Sequence, residues 1–184
     1  KSLDRRYYGF VTEPDSQLED RLTSQDLDVT GVVYKRLDQA HVALMTVFQY
    51  MIGNPDWSLV TGEGEDECCH NVKVLTAGDE QLLVPYDFDL SGLVDARYAR
   101  RAPNSRSSST RDRKYAGYCL GGLGLGGALA VFGANRDGIM AVLEELEWKD
   151  PTEAEKRVRF VEAFFVEAAD PGLAERLEKD CIGK

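Results

Sequence analysis

The segment LDQAHVALMTVFQYMIGNPDWS, residues 37 to 58, limits the possible folds of this chain more than any other. Leu37, His41, Leu44, Phe48 and Met51 recur at helical spacing, and Val47 and Tyr50 widen the apolar stripe. Gly53-Asn54-Pro55 supplies a residue suited to a left-handed helix end and then a breaker. A helix this apolar has to be buried, so the remaining elements must be built around it. Asp56 then sits at the mouth of a buried helix, with Trp57 beside it as an anchor. His41, on the apolar stripe, reads as a satisfied core residue.

The 184 residues suit one domain spanning 1–184, and a hydrophobic content of 43% is enough for a true core. The formal charge of −10 and pI near 4.7 argue against a nucleic-acid or anionic-membrane partner. No apolar run reaches the roughly 18 residues of a membrane span. KSLDRRYYGFV lacks the features of a signal peptide and starts as if in mid-element, so the chain reads as a piece of a longer protein. RRYYGFVTE alternates like a strand that Pro14 ends, and DSQLEDRL reads as a short helix.

A hairpin follows. HNVKVL forms one strand, TAGDEQ the turn and LLVPYDFD the return strand, residues 82 to 89. Alternation predicts Leu82, Val84, Tyr86 and Phe88 on one face, with Asp87 and Asp89 together on the other. If the turn centres on Gly78-Asp79, Asn71 lands opposite residue 86 or 87. A carboxylate in a low-dielectric place must be protonated, paired or bound to a cation. Asp87 and Asp89 close an apolar strand, and that rule makes them candidates for metal or phosphate chemistry, or else for capping the LSGLV turn that follows.

Residues 97–114 are basic and Ser-rich and read as a solvated loop, or as a place for an anionic substrate. Gly122, Gly124 and Gly127 match GxGxxG, but no good strand precedes them. The glycines therefore read as a flexible lead-in to a helix of residues 128 to 147. Val158, Val161, Phe164, Phe165 and Ala168 mark a second amphipathic helix, and DPGLAERLEKDC a short last one. Cys68, Cys69, Cys119 and Cys181 allow two disulfides, one of them tying Cys181 back to the body, or four reduced thiols.

Magnesium takes oxygen ligands, often one or two carboxylates completed by phosphates and water. Asn71 and Asp87 facing each other across a hairpin supply such a set, and Asp56 nearby can accept a proton from an attacking hydroxyl. Lys73 shares a face with Asn71 and is a candidate phosphate contact. His70 reads as a solvated loop histidine. In GNPDWS, CHNVKVL and LLVPYDFDLSG the chain resembles the C-terminal lobe of an atypical protein-kinase-like family. It is similar to the spore coat protein H type kinases and to bacterial proteins sharing a GN-x-DW, HN-x-K, PYDFD-x-SG pattern.

The resemblance runs from about Tyr8 to about Phe165, its motifs confined to residues 53 to 92. It implies an α+β fold, a mainly helical kinase-like C-lobe around a short β-hairpin. It also implies ATP and Mg2+ as cofactors, Asp56 as catalytic base, and Asn71 and Asp87 as metal ligands. Asp89 would be a second metal-binding or loop-ordering group. The partners implied are a nucleotide and a protein or small-molecule acceptor; such relatives are commonly exported. Three departures stand out. Asp89 replaces the usual glycine after Asp-Phe. The gap from Asp56 to Asn71 is fifteen residues, where kinases use about five. No Gly-rich strand loop or strand lysine paired to a helix glutamate is visible, so an N-terminal lobe is missing from the pattern. The competing readings are a non-catalytic envelope or surface interaction module and a carboxylate-pair hydrolase using Asp56 with Asp87 or Asp89.

Overall fold

The computed structural model describes residues 13–26, 32–33, 37–59, 68–99, 111–120, 122–146 and 150–182, and the account below keeps to these. The elements in chain order are α1 (Asp15–Leu22), β1 (Gln25–Asp26), α2 (Gln39–Ile52), β2 (Val72–Ala77) and β3 (Glu80–Pro85). There follow α3 (Gly122–Ala134), α4 (Arg136–Glu145), α5 (Pro151–Ala168) and α6 (Leu173–Lys179). This is the α+β, mainly helical architecture expected from the sequence. The strand expected over RRYYGFVTE lies, but for Glu13, outside the described residues. None of the described helices is long and apolar enough to cross a membrane.

Helix α2 is the shared wall of two cores. Asp38 caps its start by accepting the His41 amide at 2.6 Å, and Gly53, at φ 65°, closes its end. Val42 and Met45 join Leu37, Trp57, Val72 and Leu83 on the sheet side. Ala43, Val47, Tyr50 and Met51 join residues of α3, α4, α5 and α6 on the other. Burial on nearly every face explains why the sequence stripe was so wide. Thr46, within α2, faces Gly117, where a Cβ would overlap it and lie 2.6 Å from Tyr115 Cζ, so only glycine fits.

The three strands form an antiparallel sheet in the order β1-β2-β3, with Val72 opposite Pro85 and Ala77 opposite Glu80. Gly78-Asp79 is the two-residue loop, and Gly78 takes the positive φ that its first position requires. The helix-side core takes Leu83, with Val72 and Val74, whereas Leu82 and Val84 are only half-buried and Tyr86 is exposed. Lys73 and Leu75 are covered too, so the sheet is sheltered on both faces and apolar alternation cannot tell them apart. His41 performs the structural role expected of it: its Nε2 lies 3.0 Å from both the amide nitrogen and the carbonyl oxygen of Leu83, on the outer edge of β3.

The glycine-rich stretch is also corrected. Residues 122 to 127 belong to α3 itself, and the helix breaks at Asn135 instead of running from 128 to 147. Leu125, Ala128 and Leu129 are buried, and a Cβ on Gly124 would lie 3.9 Å from Ala43 Cβ of α2. Packing against α2 outweighs the low helix propensity of glycine. Asn135 ends α3 by donating its side-chain amide to the Val131 carbonyl at 2.8 Å. A GxGxxG motif wholly inside a helix cannot present a phosphate-binding loop.

Asp150 caps α5 by accepting the Thr152 amide at 2.8 Å, and the helix buries Phe160, Val161, Phe164 and Phe165. Both cysteine pairs are disulfides, Cys68 with Cys69 and Cys119 with Cys181. Tyr50 of α2 donates to Glu167 Oε2 of α5 at 3.2 Å; burial first, then the Glu167 charge, pushes its hydroxyl up to about 12. An unfolded tyrosine ionises near 10. The contribution of Tyr50 is therefore complete below about pH 10 and lost as pH rises through about 12. We expect Tyr50→Phe to flatten this alkaline loss by roughly 2–3 kcal/mol in urea titrations run over that window. Equal slopes in the two proteins would refute the assignment.

Candidate functional site

Two loops meet at the C-terminal end of α2. The first is set by Asn54, which is buried and closes on Gln49 through its backbone amide at 2.9 Å and its side-chain amide at 3.0 Å. Its Oδ1 then accepts the Asp56 amide at 3.0 Å, turning Asp56 back over the helix end. Beyond it Trp57 is buried edge-on against Tyr118, ring centroids 5.8 Å apart. Leu59 donates its amide to the Tyr118 hydroxyl at 2.8 Å. Asp56 is thus held between two anchors.

Ser58 and His70 exchange a pair of 3.0 Å backbone hydrogen bonds, an antiparallel bridge that returns the chain to Asp56. Asn71, at φ 53°, donates Nδ2 to the Asp56 carbonyl at 2.8 Å and to Asp56 Oδ2 at 3.0 Å. Both partners are acceptors, so the nitrogen end of the carboxamide must face Asp56. The oxygen end is left as the one that can meet a cation. His70 is not simply solvated as expected: its Nε2 lies 3.1 Å from Asp56 Oδ1. Both oxygens of Asp56 therefore have partners, yet its side chain is still 32% exposed. Each oxygen keeps a second lone pair for an incoming hydroxyl.

The second loop follows β3. Tyr86 donates its amide to the Asn71 carbonyl at 3.1 Å, placing Asn71 opposite residue 86. Asp87 then adopts φ 52°, which ends the strand alternation before Asp89. The turn is fastened to α2: Gly92 donates to the Gly53 carbonyl at 2.9 Å and Leu93 to the Ile52 carbonyl at 3.0 Å. A Cβ on Gly53 would meet Phe160 Cζ at 3.0 Å and the Gly92 backbone at 3.6 Å, so close approach and positive φ both demand glycine. Phe88 packs edge-on against Phe48 at 5.5 Å.

The two loops bring the acidic groups into one field. Asp87 is exposed, yet partial desolvation holds its carboxyl above the usual range, and the charge of Asp89, a hydrogen bond with it and the charge of Asp56 add to the rise. Asp89 also accepts from the Tyr98 hydroxyl, which is held above its ordinary value by that bond. Oxygens crowded by neighbours of like charge are the ligand type that a hard divalent cation takes. Asp87, Asp89 and the oxygen of Asn71 are the residues that could hold one. Asp56, Asp87 and Asp89 do not close to 4.8 Å; among the described residues the one His, Cys, Asp or Glu trio that does is Cys119, Glu178 and Cys181.

Lys73 is not brought to this cleft. Its ammonium lies 2.9 Å from Asp15 and 2.9 Å from Asp26, on the α1 and β1 side. Burial alone would lower it, but hydrogen bonds to the two aspartates hold it above its ordinary value. The arginines of the basic stretch 97–114 are likewise partly structural. Arg111 pairs with Asp95 at 2.6 Å, and Arg113 donates to the carbonyls of Met51 and Phe160 with its guanidinium 4.0 Å over the Phe160 ring. Arg97 is exposed, and Arg100, Arg101 and Arg106 lie outside the described residues. Sequence reasoning missed Asn54 and Tyr98 as site-building residues; the Asn after a helix-ending glycine was the available signal for the first. Compared with protein-family models, with curated proteins and with solved structures, the chain gives no significant match.

Proposed function

We propose that this chain is the C-terminal lobe of a kinase-like phosphotransferase that uses ATP and Mg2+. The observation that carries the reading is the junction of Asn71 with Asp56, fifteen residues apart in sequence, beside Asp87. Asn71, Asp87 and Asp89 would hold the metal, whose charge, when bound, offsets that of the phosphates. Asp56 orients an acceptor hydroxyl and takes its proton on a carboxylate oxygen. Asn71 fixes the rotamer of Asp56 through Oδ2, while His70 bonds Oδ1. The turn of Gly92 and Leu93 on α2 keeps Asp87 and Asp56 at a constant relation.

In an assay of phosphoryl transfer from ATP, Asp56→Asn is expected to lower turnover by about 100-fold or more, the scale of a lost general base. Nucleotide binding should persist. Undiminished transfer in Asp56→Asn would exclude Asp56 as the base. One observation favours a second reading. Lys73, the cation the sequence offered for phosphate, and Arg113 of the basic stretch 97–114 are engaged elsewhere. A non-catalytic surface interaction module that kept this fold would have that arrangement, and would show no thermal shift with ATP and magnesium.

A further inference from the structure

Away from the carboxylate cleft, the sulfurs of Cys119 and Cys181 and a carboxylate oxygen of Glu178 lie within 4.8 Å of one another, half-buried. The two cysteines are disulfide-bonded, with Cα atoms 5.0 Å apart. The disulfide is not the sole fastening of this corner. Cys119 donates its amide to the Ile182 carbonyl at 3.0 Å, and Ile182 donates to the Gly117 carbonyl at 2.9 Å. Leu120 donates its amide to Glu178 Oε1 at 3.2 Å. Leu173 and Leu177 are buried in the helical core and seat α6, which carries Glu178. Backbone and helix packing therefore hold the three side chains face to face whether or not the sulfurs are bonded.

Two thiolates and a carboxylate make a donor set suited to zinc, which binds sulfur at about 2.3 Å and tetrahedrally. That geometry needs the sulfurs roughly 3.8 Å apart. Cysteines with Cα atoms 5.0 Å apart reach it by rotation about χ1. Three protein ligands leave the fourth position for water or an exogenous group. Magnesium, which takes oxygen ligands, does not compete for such a site.

We propose that reduction of Cys119–Cys181 opens a site for one thiophilic divalent cation of the zinc class, held by Cys119, Cys181 and Glu178. A dithiol reductant transfers two electrons and two protons to the S–S bond and becomes a disulfide itself. Two protein thiols result. The cation then displaces both thiol protons to solvent and is bound by the thiolates. Oxidation and metal occupancy are mutually exclusive ways of fastening the last turn of the chain beside Tyr118.

Cobalt is the probe, because thiolate ligation gives near-ultraviolet charge-transfer absorption and a tetrahedral site gives visible bands. The Cys68→Ser/Cys69→Ser protein, reduced with a phosphine, is expected to bind one equivalent of Co2+ and to release it to Zn2+. The same protein left oxidised should bind none. Cys181→Ser should abolish the thiolate bands, and Glu178→Gln, which keeps an oxygen for the Leu120 amide, should weaken binding at least tenfold. If Cys181→Ser loses its far-ultraviolet circular dichroism, Glu178→Gln decides alone. Absence of charge-transfer absorption after reduction, or identical affinity in Glu178→Gln, overturns the proposal.

Discussion

Phe164→Ala is expected to destabilise the protein by about 3–5 kcal/mol, the range for truncating a fully buried phenylalanine. Phe164 has no exposed surface, and its ring meets those of Phe165, Phe132 and Tyr50 edge-on at 5.2, 6.0 and 6.3 Å. It therefore joins α5 to α3 and α2, and the guanidinium of Arg113 lies 5.9 Å from its centroid. Truncation loses the transfer energy of the ring and leaves a void that three helices cannot close together. Urea unfolding measures it: the midpoint should fall with an unchanged slope. Val166→Ala, on the same helix at a position 77% exposed, serves as the control and should change stability by no more than about 0.5 kcal/mol. A loss near 1 kcal/mol for Phe164→Ala would show that the helices do not share this centre.

The second large effect concerns Asp87, where stability and binding should move in opposite directions. Asp87→Asn is expected to weaken Mn2+ or Mg2+ binding by on the order of 100-fold, as expected when an anionic oxygen ligand is lost. Yet the metal-free variant should be no less stable than the parent at neutral pH. The carboxyl of Asp87, though exposed, is raised by partial desolvation and by the charges of Asp89 and Asp56. A raised carboxyl opposes the fold progressively as pH climbs from its unfolded value to its native one, and that opposition is complete above the native value. Removing the charge relieves that opposition. In the parent, saturation with cation at 100 times its Kd should add about 2.7 kcal/mol by mass action, an increment that Asp87→Asn forfeits. Calorimetric titration and melting curves with and without cation give both quantities. A variant that binds normally, or that melts lower without metal, would make Asp87 a turn-former and not a ligand.

The parts of this molecule legible in sequence are those governed by local periodicity. The spacing of Val158, Val161, Phe164 and Phe165 gave α5, and the two-residue turn at Gly78-Asp79 put Asn71 opposite Tyr86. Long-range pairings were not legible. Nothing adjacent to Lys73 announces that Asp15 and Asp26 will claim it. His70 reaches Asp56 only because Ser58 bridges back to it. The helical state of Gly122 to Gly127 depends on a neighbour, α2, some eighty residues earlier in the chain. The core face of β3 was not legible because both sides of the sheet are sheltered, and a two-residue period then carries no direction.

The Ser58–His70 bridge has one more implication. Since it pins both ends of the excursion between Asp56 and Asn71, the number of residues spent on that detour does not enter the relation of the two side chains. Doubling a closed loop adds only about 0.6 kcal/mol of closure entropy, so a longer stretch between these ends would cost little. Related chains would then be recognised by which short segments sit at the clasp, and a search keyed to fixed intervals between motifs would overlook them.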